Sequence, residues 1–297
     1  MRGETEFGLP NETCILRLVM VTYETGDILR ENLASLERQL DPRWECAVID
    51  NSPSDRVERI VRPFAARDPR ISYTKTGANL GYLPAANHAI GCHPAWLSSL
   101  YVAVANPDLV LDPDFVRELS NRAEQNGASA ILAPNIVDAR TGRHLNPYLS
   151  QPNTWFKRLL MATLATFPAA ADAVQAKSRE AGKAKNRIRP QPMKNAGKGT
   201  HVYAPHGSLM IFPRRFFESG GHLRYPIPLF GEEEFVGDMA RSIGMPVVWV
   251  PSLRSEHFSS YAIGRRSRFT KRCLRRATRR NLLPYRLRIR WKQVNSG

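Results

Sequence analysis

Cysteine is scarce and scattered in this chain. The four in 297 residues, Cys14, Cys46, Cys92 and Cys273, form no Cys-x-x-Cys pair. Neither a zinc-knuckle framework nor a disulfide scaffold is therefore indicated, and a reducing, cytoplasmic compartment is expected. Long apolar runs are also missing, since no stretch approaches the roughly 18 residues of a membrane-spanning helix. The opening segment MRGETEFGLPNETC carries acids and lacks the apolar core of a secretory leader. No internal repeat or strongly low-complexity segment is present, which argues against a repeat array. Acids run short in one place: Arg265 to Lys292 holds thirteen Lys or Arg and no Asp or Glu. Of the net charge of +16, that segment accounts for 13, leaving 16 − 13 = +3 for the remainder. The basicity belongs to the end of the chain and points to an anionic partner there.

The remainder is long enough for one large α/β domain or two smaller ones, and its 42% hydrophobic content is that of a globular protein. Ile15 to Thr22, ILRLVMVT, is a nearly unbroken apolar run, the pattern of an inner parallel strand. Ile28 to Gln39 has helical spacing, Trp44 to Ile49 reads as a second strand, Val57 to Ala66 as a helix, Ile71 to Thr74 as a strand and Pro84 to Ile90 as a helix. Tyr101 to Ala105 closes this alternation, which predicts a doubly wound, mostly parallel sheet. Beyond it, Asp112 to Asn121 reads as a helix with Asp112 as N-cap and Pro113 in the first turn, and Leu132 to Val137 as a strand. His201 to Phe212 reads as one strand, Phe216 to Gly221 and Phe235 to Ile243 as helices, and Pro246 to Pro251 as a last strand. The expected organisation is a main domain over 12–260, a basic helical and loop insertion at 152–200, and a basic tail over 261–297.

In open parallel sheets ligands bind beyond the carboxyl ends of the strands. Thr22 to Glu24 after the first strand, Asp50 to Ser52 after the second, and Asn106, Pro107 and Asp108 after the fourth become candidate ligand contacts. Asp108, at the mouth of a buried strand, suits a hard divalent cation that completes its shell with phosphate oxygens. An ordinary Asn-Pro-Asp turn gives the same triplet. Glu232, Glu233 and Glu234 stand together at a helix start, where a solvated acidic turn is favoured by the helix dipole alone.

The order of these segments resembles the family 2 glycosyltransferases, inverting enzymes of the GT-A fold that use nucleotide sugars. The resemblance covers about Leu16 to Phe258 and rests on VTYET at Val21, VIDNSPSD at Val48, NLGYLPAANHAI at Asn79, NPDLVL at Asn106, HGSLMIFPRRFFESGG at His206 and LFGEEEF at Leu229. It is nearest to rhamnosyltransferase-like and polysaccharide-building members. The resemblance implies a hexosyltransferase of surface polysaccharide synthesis with a Mg²⁺ or Mn²⁺ cofactor. Thr22, Glu24, Asp50, Asn79, Gly81, Asn87, Asn106 and Asp108 would face the nucleotide sugar, and His206 and Gly207 the acceptor side. Asp108 would bind the metal, with His257 as a further participant. Glu233 is the implied general base and Glu232 the alternative. The chain departs from the family's usual pattern at Gly220 to Leu223, where an acid is common, and at FVGDMAR after the glutamates.

Trp155 to Val174 carries an apolar pattern suited either to a membrane surface or to packing on the sheet, and Ala176 to Lys198 reads as a loop. The arginine-rich end is interleaved with Phe269, Leu274, Leu282, Leu283, Tyr285 and Trp291. This composition suits an anionic membrane surface and a polyprenyl-linked saccharide acceptor, with the protein peripheral at the inner face of the cell membrane. No specific nucleic acid is expected, because no recognised binding module accompanies the charge. Two other readings remain: a nucleic-acid-binding protein using the Arg-rich tail, and a nucleotide-sugar binder without catalysis.

Overall fold

The computed structural model describes residues 14–92, 94–166, 200–258 and 268–281. Strands β1 (Leu16–Thr22), β2 (Trp44–Asp50), β3 (Ile71–Lys75) and β4 (Tyr101–Ala105) are parallel in the order β3-β2-β1-β4. Between them run α1 (Ile28–Glu37), α2 (Arg56–Arg67) and α3 (Tyr82–Cys92), with a 3-10 turn at Pro94–Ser98. Alternate side chains of β1 enter different cores. Leu16, Leu18 and Met20 pack with α1 and α2, whereas Val19 and Val21 pack with α3. A strand buried on both faces must be apolar throughout, which is why ILRLVMVT is nearly unbroken.

The second half extends the sheet with mixed pairing. β5 (Leu109–Leu111), α4 (Phe115–Asn126), β6 (Ile131–Asp138), α5 (Trp155–Thr166), β7 (Thr200–Val202) and β8 (Leu209–Pro213) follow, then α6 (Arg214–Glu218), α7 (Glu232–Ser242), β9 (Val247–His257) and α8 (Arg268–Arg280). The full strand order is β3-β2-β1-β4-β8-β6-β9-β5, with β7 paired to β9. β8 runs antiparallel between β4 and β6, and Ala105 faces Leu209 across the ladder. One face of the sheet carries α1, α2 and α4, and the other carries α3, α6, α7 and α8. Fully buried aromatics, among them Trp44 and Phe115 on the first side and Phe216 and Phe235 on the second, anchor the layers. Each contributes about 1.5–3 kcal/mol by burial.

The expected α/β architecture is observed, with four local corrections. The helix expected from Asp112 begins at Phe115 with Asp114 in the N-cap position, because Leu109–Leu111 forms an extra strand and Asp112 and Pro113 make the turn out of it. The strand expected over His201 to Phe212 is two strands, β7 and β8, separated by a turn around Pro205 to Ser208. The helix expected over Phe235 to Ile243 begins earlier, at Glu232, so that all three glutamates lie in its first turn. The last strand continues through Pro251 to His257, pairing first with β7 and β6 and then with β5. The loop expected at Ala176 to Lys198, and everything after Asn281, lie outside the described residues.

Candidate active site

The sheet order reverses between β1 and β4: the chain moves outward from β1 to β2 and β3, then returns to lay β4 on the other side of β1. Such a switch point opens a crevice at the carboxyl ends of the strands. A cleft of about 290 Å³ lies there. It is lined by Thr22 from β1, Asn51 from the end of β2, Asn79, Asn106 and Asp108 from the loops, and Glu233 from α7.

Strand register brings Asp108 to His257. β5 pairs antiparallel with β9 so that Leu109 faces His257, and the backbone N–H of Phe258 donates to the Asp108 carbonyl at 2.8 Å. The imidazole Nε2 of His257 then lies 3.1 Å from Asp108 Oδ1, with both side chains buried. Asp108 lines the cleft whereas His257 stands behind it, and a carboxylate backed by an imidazole is a fitting donor set for a divalent cation whose other ligands come from a phosphorylated substrate. Among the described residues no group of three His, Cys, Asp or Glu stands at metal-ligand spacing. Asn106 is turned to the scaffold through its backbone, with its N–H donating to Ser208 O and its carbonyl accepting from Asn32 Nδ2. His206 lines the cleft with its ring 6.2 Å from that of His257. Burial, followed by the neighbouring His257, pushes its pKa down to about 4 and keeps the ring neutral.

The nucleotide-side candidates divide into two groups. Thr22, Asn79 and Gly81 line the cleft, but Asp50, Glu24 and Asn87 do not. Asp50 is fully buried and accepts from the Thr22 hydroxyl at 3.2 Å, the Ser52 N–H at 2.9 Å and the Tyr73 hydroxyl at 2.8 Å. Its neighbour Asn51 takes the lining position and donates to Gly81 O at 3.0 Å. Glu24 bridges two loops, accepting from the Ser54 hydroxyl at 2.9 Å while its own N–H donates to Ser52 Oγ at 2.7 Å. Asn87 is partly buried on α3.

Gly81 has φ +93°, and a Cβ there would come within 2.4 Å of the Pro228 backbone. Tyr82 N–H donates to Pro228 O at 2.8 Å, so the strand-to-helix turn and the loop before α7 are joined at this point. Gly81→Ala is expected to cost about 1–3 kcal/mol or more by denaturant titration, because backbone strain adds to the clash. Gly77→Ala, at φ +73° with nothing within 4 Å of the new Cβ, should carry the strain alone and cost less.

The three glutamates point to three environments. Glu232 is buried and accepts from the Phe230 N–H at 2.9 Å. Glu234 accepts from Asn153 Nδ2. Glu233 lies against Gly207, where a Cβ would sit 2.8 Å from Glu233 Oε1. Glycine at position 207 thus allows the carboxylate to approach the β8 turn. Burial is the main cause raising both Glu232 and Glu233 above the ordinary carboxylate range, with the charge of Glu233 adding to the rise at Glu232.

A second cavity of about 340 Å³ adjoins the first and shares Phe230, Glu232 and Glu233 with it. Its other walls come from Asn153, Lys157 and Met161 around α5, Tyr148, and Leu274 and Thr278 of α8. Phe269, also on α8, lines the first cleft. None of the expected catalytic, nucleotide or metal residues lies on α5 or α8. No local signal identifies these contributors, because they arrive through contacts between segments more than a hundred positions apart.

The sequence model described as Glycosyl transferase family 2 matches residues 18–221, more than half of the chain. The chain belongs to that family. Among curated relatives, the N-acetylglucosaminyl-diphospho-decaprenol L-rhamnosyltransferase of Mycobacterium tuberculosis is 27% identical over 263 residues, 85% of this chain and 79% of the relative. The low-salt glycan biosynthesis hexosyltransferase Agl10 of Haloferax volcanii is 26% identical over 218 residues, 73% of this chain and 59% of that protein. Among solved structures, GalNAc-T7 with UDP, GalNAc and Mn²⁺ superposes with a TM-score of 0.59 at 14% identity, covering 89% of this chain and 48% of that one. TarS of S. aureus superposes with a TM-score of 0.53 at 11% identity, covering 83% of this chain. The chain spans 37% of the length of TarS, and less than half of GalNAc-T7. The fold is that of GT-A glycosyltransferases, and this protein is a glycosyltransferase.

Proposed function

We propose that this glycosyltransferase moves a sugar, with inversion, from a nucleotide-diphosphate sugar in the first cleft to a hydroxyl of a saccharide or lipid-linked saccharide, in the assembly of a surface polysaccharide. The observation that carries this reading is the position of Glu233 in the wall shared by two adjoining cavities, with Asp108 lining the first of them. One cavity is suited to the donor and the other to the acceptor, so the carboxylate stands where the two substrates would meet. The acceptor oxygen attacks the anomeric carbon, the carbon–oxygen bond to the diphosphate breaks with its electrons leaving on the nucleotide, and the hydroxyl proton passes to Glu233. The absence of a side chain at Gly207 leaves the carboxylate room at this place.

Asp108 and His257 would hold Mg²⁺ or Mn²⁺, which when bound would offset the charge of the leaving diphosphate. Thr22, Asn51 and Asn79 offer hydroxyl and amide groups to the nucleoside, and Asp50 acts behind them by orienting the Thr22 hydroxyl. Relatives support the acceptor class, since the mycobacterial one is named for a diphospho-decaprenol-linked sugar.

A thermal-shift panel of uridine and thymidine diphosphates with Mn²⁺ tests the donor site. A ligand present at a hundred times its Kd should stabilise the fold by about 2.7 kcal/mol. The shift should disappear with chelator and in Asp108→Ala. A nucleotide-dependent shift that survives both would remove the metal assignment, and no shift with any nucleotide diphosphate would remove the donor site.

A further inference from the structure

The helix α5 is reversed in polarity for a helix on a folded protein. Among its described side chains, residues 155–163, the buried ones are Arg158 and Ala162, whereas Trp155, Phe156, Leu159, Leu160 and Met161 are exposed, Trp155 by 62% and Phe156 by 71%. A cluster of large exposed apolar side chains marks a surface that meets something other than water. α5 packs against α8 rather than against the sheet, and Arg158 Nη1 donates to the carbonyl of Asn281 at 2.9 Å. α8, RFTKRCLRRATRR, has seven basic residues in thirteen and no acid. Its buried face is Thr270, Cys273 and Ala277, so Lys271, Arg272, Arg275, Arg276 and Arg279 project from the other side. α5 contains no acid either. The two helices that wall the second cavity therefore present an apolar set and a cationic set side by side.

We propose that α5 and α8 together form a docking surface for an anionic lipid bilayer, and that the cavity between them is the port through which a lipid-phosphate-linked acceptor reaches Glu233. The port rests on the glycosyltransferase reading, whereas the docking surface stands without it. Apolar side chains of α5 enter the headgroup boundary while the cations of α8 meet anionic headgroups. Neither helix is long and apolar enough to cross a membrane, so the contact is one of surface. A bilayer accounts for both sets, because a polyanion such as RNA would use the cations and leave Trp155, Phe156 and Leu160 in water. Phosphate on the lipid linker would meet Lys157 and Thr278 in the cavity wall, which brings the acceptor hydroxyl in from the lipid side.

Co-sedimentation of the full chain with phosphatidylcholine vesicles, with and without phosphatidylglycerol, tests the surface. Binding should require phosphatidylglycerol. Reversal of charge in Lys271→Glu, Arg272→Glu, Arg275→Glu combined should weaken it more than about a hundredfold, at roughly fivefold or more for each basic residue near an anionic surface. Trp155→Ala, Phe156→Ala, Leu160→Ala combined should also weaken it and make what remains fully reversible by salt. None of these six side chains lines either cavity, so the nucleotide-diphosphate thermal shift should be unchanged in both variants, which also shows that they fold. Vesicle binding equal to wild type in both variants would place the contact elsewhere in the chain and overturn the proposal. Binding to poly(U) that outcompetes vesicles and is insensitive to the apolar substitutions would assign the surface to nucleic acid, and overturn it too. If vesicle binding fails while the nucleotide shift persists, only the docking surface falls. If the nucleotide shift fails in the wild type while binding persists, the donor site falls and the docking surface stands.

Discussion

Replacing Glu233 with Gln is expected to lower kcat/KM for sugar transfer by about 10²–10⁴, the range a positioned general base supplies. Gln keeps the size of the side chain and its place against Gly207 but cannot take the acceptor proton, so the nucleotide thermal shift should be retained. Glu232→Gln should have a much smaller effect on turnover, because Glu232 is turned back on the Phe230 N–H. The pH profile carries an independent sign. Burial raises the folded-state pKa of Glu233 above its ordinary value, so the base is protonated, and transfer slow, over a range where an exposed carboxylate would already be ionised. The acid limb of kcat/KM should therefore lie above the usual carboxylate range and be lost in Glu233→Gln. Stability moves the other way. Both carboxyls have raised folded pKa values, so the stability they contribute is full below the unfolded value near 4.5 and is lost as pH rises toward about 8, the folded value of Glu232. A profile of kcat/KM that is flat across this window, or a Glu232→Gln variant worse than Glu233→Gln, would overturn the choice of base.

Strands β1, β2 and β4 were legible because each is buried on both faces, and their helices because each is buried on one; β3, exposed at Ser72 and Thr74, was legible as the next segment of the alternation. The positions of Thr22, Asn106 and Asp108 followed from the strand ends, where a switch-point sheet places its ligand, and those of Asn79 and Gly81 from the family resemblance. Less legible was what depends on pairing. Leu109–Leu111 is too short to read as a strand, yet its register with β9 is what sets Asp108 beside His257. Asp50 and Glu24 carry the right chemistry at the right strand ends, but hydrogen bonds to Thr22, Tyr73 and Ser54 draw both away from the lining and leave Asn51 there. The departure FVGDMAR also has a reason that only coordinates reveal. Asp238 sits where it meets Arg158 of α5, a residue 80 positions earlier.

That contact supports the last expected result, a large loss of stability in Arg158→Met. The guanidinium and Asp238 are both buried, with side-chain exposures of 5% and 6%, and lie 3.3 Å apart. Arg158 also donates to Asn153 O at 3.1 Å, Asn281 O at 2.9 Å and the Tyr203 hydroxyl at 3.2 Å, and that hydroxyl donates to Asp238 Oδ1 at 2.7 Å. One side chain therefore ties α5, α7, α8 and the β7 turn together. Removing one partner leaves a buried carboxylate uncompensated, at a cost of about 3–5 kcal/mol. For a chain of this size that corresponds to a fall in Tm of roughly 6–20 °C, since 1 kcal/mol shifts Tm by about 2–4 °C. Arg158→Met with Asp238→Leu should recover part of the loss, because no charge is then stranded. A double variant as unstable as the single one would mean that the hydrogen bonds to Asn153, Asn281 and Tyr203, rather than the ion pair, hold the helices. Because the same cluster fixes α7, whose first turn carries Glu233, the double variant should also show lower kcat at unchanged donor affinity. Stability and catalysis would then separate at a residue that touches neither substrate's reacting atoms.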